Sequence, residues 1–203
     1  FLNLTRWLSP SYPLGSFAYS YGLESLTSSG KIAGSEDLEA ILLHLVKHGG
    51  AQVDAALLHL TLDGADTRSE ALARAAGAER EAEMLALGRA FVATLRTSEG
   101  IELREGPFVS VFGEAARTLN VPHRLIVAQY LQAFTANLVS VAQRLLPIGQ
   151  AAGQGILHRL SPVMDQVAAE TASLSRDDLG SSGFALDLAS MAHETLEARL
   201  FRS

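Results

Sequence analysis

The chain has 203 residues, of which 48% are hydrophobic and 19% charged, with a net charge of −6 and no cysteine. A chain of this length suits one large domain or two small ones and buries roughly 70% of its unfolded surface. The composition argues against a disordered tail and against nucleic acid as a partner. The missing cysteines exclude disulfides, thiolate zinc sites, iron–sulfur clusters and a Cys nucleophile, in keeping with a cytoplasmic protein.

The first residues, Phe1-Leu2-Asn3-Leu4, lack the charged, apolar and cleavable plan of a signal peptide. Pro10 and Pro13 predict an N-terminal loop, and Ser16 to Leu26 a first helix that stops at Thr27-Ser28-Ser29-Gly30. Ser35 is placed to cap a second helix. Its buried stripe would be Leu38, Ile41, Leu42, Leu45 and Val46, and His44, Lys47 and His48 suit its carboxyl end before Gly49. A third helix is expected over about 52–62. A long charged helix follows over about 69–97, with a bend at Gly77 or Gly88. After a loop near 98–106, a helix runs from Pro107 to Leu119, and Pro122 opens the longest regular segment, which ends at Pro147.

Within that segment Val127, Leu131, Phe134, Leu138, Val141 and Leu145 lie four or three residues apart and make one apolar stripe. The stripe suits either a core strut or a dimer seam. Gln129, Gln132, Asn137, Gln143 and Arg144 interrupt the apolar stretch from 125 to 146, so it is expected to be a buried helix and not a membrane span. Helices over about 149–160 and 162–174, a loop over 175–183 and a last helix from Phe184 complete the chain. The prediction is an all-α, single-domain bundle over residues 1–203 with about nine or ten helices.

Chemical motifs are scarce. There is no P-loop, dinucleotide fingerprint, nucleophile elbow or zincin motif, which points away from an enzyme and from a bound cofactor. His44 and His48 share a helix face and could hold a metal with a third ligand, although the helix dipole alone accounts for them. His193 falls on the stripe Leu186, Ala189, His193, Leu196, Leu200, where a hydrogen-bonded core or interface histidine is expected. Ser20 and Ser190 have no local activating partner. The run Gly149-Gln150-Ala151-Ala152-Gly153-Gln154-Gly155 reads as a tight turn where two helices approach, its glutamines free to cap or to touch a partner. The end of the chain is different: Arg199-Leu200-Phe201-Arg202-Ser203 sets a bulky apolar pair between guanidiniums, the composition of a protein-binding anchor.

Three blocks together resemble the UreF family of urease accessory proteins. They are Ser9-Pro10-Ser11-Tyr12-Pro13-Leu14-Gly15-Ser16-Phe17-Ala18-Tyr19-Ser20-Tyr21-Gly22-Leu23-Glu24, then Arg144-Leu145-Leu146-Pro147-Ile148-Gly149-Gln150 continuing through Gly153-Gln154, and finally Asp178-Leu179-Gly180-Ser181-Ser182 with the stretch from Ser190 to Ser203. Around residues 98–110 the chain departs from the pattern, with Pro107-Phe108-Val109 in place of a His-x-Pro. The resemblance implies a non-enzymatic helical scaffold, a homodimer, that joins UreD (UreH) and the GTPase UreG and promotes nickel insertion into the urease apoprotein. It implies partner contacts from Met191, His193, Glu194, Arg199, Leu200, Phe201, Arg202 and Ser203, from Tyr19, Ser20, Gly22 and Glu24, and from Gln150 and Gln154. Alternatives are a direct activator of the partner GTPase through Arg199 or Arg202, and a stand-alone metal protein built on His44 and His48. The last turn is expected to be peripheral, so that removing residues 199–203 would leave stability nearly unchanged.

Overall fold

The computed structural model describes residues 1–197 and 199–202. Among these there are ten α-helices and no strand: α1 Leu2–Trp7, α2 Leu23–Ser28, α3 Ser35–His48, α4 Gly50–Leu62, α5 Arg68–Ala73, α6 Ala78–Glu99, α7 Phe108–Ala116, α8 His123–Leu145, α9 Gln150–Glu170 and α10 Phe184–His193. Single 3-10 turns lie at Ser16–Ala18, Thr171–Ser173 and Arg176–Asp178. The all-α fold is as expected.

The central strut is α8. It packs against α9, α4, α3 and α2. Val127, Leu131, Leu138 and Val141 are completely or almost completely buried, while Phe134 and Leu145 sit half-buried at the core's edge. The stripe is therefore core. By length and composition α8 could cross a membrane, but its apolar stripe is already turned into the protein.

Several boundaries differ from expectation for physical reasons. The helix predicted over 16–26 breaks because Tyr21 and Gly22 are both left-handed, with φ of 55° and 80°. A side chain on Gly22 would put its Cβ 2.9 Å from the Ser190 amide nitrogen and 3.0 Å from the Leu186 carbonyl, so the glycine lets α2 lie directly on α10. Helix α1, too short to show a period, is anchored by Leu4 and Trp7; Trp7 stacks edge-on against Phe91 and donates its indole N–H to Glu99. The long charged helix is broken at 74–77, and α6 then runs straight through Gly88. Gly88 serves packing: a Cβ there would collide with the Gly106 carbonyl.

The two helices expected around Pro162 are one, α9. Pro162 lies on the exposed side, where water can satisfy the carbonyl left unpaired by its missing N–H. Of the glycine run expected to form a tight turn, Gln150–Gly155 instead begin α9, and only the close approach holds: a Cβ on Gly153 would sit 2.9 Å from Val139 of α8.

Candidate functional site: a latched C-terminus

The most elaborate polar construction in the molecule joins the first and third of the sequence blocks. His193, at the end of α10, is fully buried. Its Nε2 lies 2.9 Å from Glu24 Oε2 on α2 and its Nδ1 2.8 Å from Glu79 Oε2 on α6, so one ring ties three helices. Glu24 also accepts the backbone N–H groups of Leu200 (2.7 Å) and Phe201 (3.1 Å). Burial pushes the Glu24 carboxyl up. The Leu200 N–H, the His193 ring and the Phe201 N–H together outweigh that and hold it below the ordinary carboxylate range.

The rest of the tail is tied just as closely. Arg199 donates to Glu79 (2.6 Å) and to the Glu194 carbonyl. Glu194 turns back to accept the N–H groups of Ala78 and Glu79, capping the start of α6 from a distant part of the chain. The Phe201 ring is 5% exposed, lies 4.3 Å beneath the Arg144 guanidinium, and is followed by the Arg202 N–H donating to the Ala18 carbonyl at 2.8 Å. Arg144 also donates to the Phe17 carbonyl. Leu200, by contrast, is 76% exposed.

These contacts revise the expected site. Phe201 is an internal anchor and not half of an exposed pair, so the last turn is no longer peripheral. Tyr19, Ser20, Gly22 and Glu24 are all buried, Gly22 against α10 and Glu24 against His193 and the tail. Ser20 accepts the Glu24 N–H at 3.4 Å and supports the turn. His193 is buried, Glu194 and Arg199 are exposed but bonded within the chain, and Met191, Leu200 and Arg202 are exposed. Gln150 and Gln154 are exposed on one face of the first turns of α9. Ser203 lies outside the described residues.

A second buried charge cluster adjoins the latch along α6. Arg80 pairs with Asp54 (3.3 Å) and Glu83 (3.0 Å), Tyr130 donates to Asp54 (3.0 Å), and the guanidinium lies 4.5 Å over the Tyr21 ring. Burial pushes the Asp54 carboxyl up, against the pull of Arg80 and the Tyr130 hydroxyl. Arg80 keeps its proton more firmly than usual because Glu83, Tyr21 and Asp54 outweigh its own desolvation. Asp54 and Arg80 line two cavities, one of about 640 Å³ under the N-terminal arm and one of about 230 Å³ toward α10. Sequence reasoning missed this cluster because charges on a long helix read as a solvated face.

The rings of His44 and His48 are 5.5 Å apart, with His44 Nε2 3.2 Å from the Ser182 carbonyl. Among the described residues no group of three His, Cys, Asp or Glu side chains is arranged to hold a metal ion.

Fold and site together define an all-α protein whose most developed chemistry holds its own C-terminus in place. The sequence model of the UreF family matches residues 32–161. The urease accessory protein UreF of Cereibacter sphaeroides is 40% identical over 205 aligned positions, covering 100% of this chain and 98% of that protein. Those named urease accessory protein UreF in Dinoroseobacter shibae and Roseobacter denitrificans are 40% and 37% identical over the whole of this chain, covering 98% and 94% of their own lengths. The chain belongs to the UreF family of urease accessory proteins.

Proposed function

We propose that this accessory protein is a scaffold: a homodimer that joins UreD (UreH) and the GTPase UreG in the cytoplasm and promotes nickel insertion into the urease apoprotein, without chemistry of its own. The observation that carries this reading is the state of residue 200. Its neighbours Arg199 and Phe201 are fastened to Glu79, Glu24 and Arg144, while its own side chain is held out to solvent. Conformational freedom of the tail is already spent before a partner arrives, which favours binding through the exposed residue.

The alternatives fare less well on the same geometry. An arginine acting in the GTPase site must be free to reach it, and Arg199 is committed to Glu79 and Glu194, leaving Arg202 for that role. A metal site on His44 and His48 needs a third ligand, which the described residues do not bring to the pair.

The test is light scattering on size-exclusion fractions of this chain, alone and mixed with purified UreD and UreG. A dimer that recruits both into one complex is expected. A monomer that elutes apart from both would reject the scaffold.

A further inference from the structure

The larger cavity beside the Arg80 cluster has no part in the latch. At about 640 Å³ it has the size and the mixed lining of a site for a small organic molecule. The N-terminal arm contributes Trp7 and Tyr12 to its wall, α7 contributes Phe108, and α8 contributes Tyr130 and Phe134, with the Phe108 and Tyr130 rings stacked at 6.0 Å. The charged part of the wall is Asp54, Arg80 and Glu83, so carboxyls outnumber guanidiniums there. The Arg80 guanidinium is already taken, by Asp54, by Glu83 and by the face of Tyr21. Asp54 is only half used. It is 6% exposed and receives both Arg80 and the Tyr130 hydroxyl on Oδ2, and among the described residues no hydrogen bond reaches Oδ1. The Tyr12 hydroxyl is likewise buried with no partner among those residues. A buried carboxylate with an unused oxygen favours a donor that brings positive charge with it.

We propose that this cavity is a binding site for a small amphipathic amine, whose ammonium group donates to Asp54 Oδ1 and whose apolar body lies among the rings of Trp7, Tyr12, Phe108, Tyr130 and Phe134. Aromatic faces attract the same cation that the carboxylate does. An anion meets the excess of carboxyls, and a neutral apolar molecule leaves Oδ1 unmet. Burial pushes the Asp54 carboxyl up, and a bound ammonium group opposes that push. The site is independent of the scaffold reading, because every residue it uses belongs to one copy of this chain and no accessory partner enters it.

The test is an NMR titration of the full chain, as parent, D54N and A133L, with phenethylamine, phenethyl alcohol and hydrocinnamate. Trp7 is the chain's single tryptophan and lines the cavity, so its indole N–H resonance reports on filling. The amine is expected to shift that resonance and saturate one to one, the alcohol to bind about tenfold more weakly, and the carboxylate not to bind. D54N should bring the amine down to the alcohol's affinity. Ala133 lines the cavity from α8, so A133L narrows it without touching the charges and should abolish binding of amine and alcohol alike. A parent that binds none of the three overturns the site and leaves the cavity to water. Equal affinity for amine and alcohol, or a D54N protein that binds the amine like the parent, overturns the role of Asp54 and with it the class of ligand. An A133L protein that binds the amine like the parent places the ligand outside the cavity and rejects the proposal. If D54N does not fold, the ratio of amine to alcohol affinity and the A133L titration decide between the same outcomes.

Discussion

At the scale of single residues, the two buried charge clusters respond differently to change. Glu24 is stabilised in its charged form, so its folded value lies below its unfolded value of about 4.3. Its contribution is therefore complete above the unfolded value and is lost as pH falls through the folded one. Thermal melting of the parent and of E24Q from pH 7 down to pH 3 should show a gap that is constant above about pH 5 and closes in acid. A gap that widened in acid would contradict the arrangement. Arg80 pairs with both Asp54 and Glu83, which are buried. R80M removes this guanidinium from the buried carboxyl of Asp54, a loss of about 3–5 kcal/mol. Urea unfolding of R80M checks this, and a midpoint equal to the parent's would mean that the cluster is better hydrated than its burial indicates.

At the scale of elements, the contact of α2 with α10 is set by Gly22. Its positive φ disfavours any side chain, and a Cβ would also press on the Ser190 nitrogen and the Leu186 carbonyl, which belong to backbone and cannot swing aside. G22A should therefore cost about 1–3 kcal/mol and loosen the tail, because Glu24 and His193 sit on the two helices being forced apart. Chemical denaturation together with carboxypeptidase trimming measures both effects. Normal stability with normal trimming would show that α2 and α10 can separate freely. Helix type and order were legible here from period and punctuation. The failures were local: α1 is too short for a period, the break at 21–22 depends on α10 lying against it, and α9 passes through Pro162 because that side is wet.

For the whole molecule, the scaffold reading makes oligomeric state and partner recruitment its decisive observables, and the burial of the α8 stripe narrows where a second copy can sit. The sequence by itself determined the helical class, since the 3.6-residue period is a local property of side-chain order. It also determined the family, through motifs that are contiguous in the chain, and it marked the tail as a place of interest through the apolar pair between arginines. Only the tertiary structure decided which of that pair is anchor and which is displayed. Phe201 goes inward because Arg144, 57 positions earlier, supplies its face, and Leu200 goes outward because Glu24 captures the backbone on either side of it. Contacts between residues 24, 79, 144, 193 and 201 leave no periodic trace, for their spacing is set by how α2, α6, α8 and α10 pack and not by neighbours in the chain.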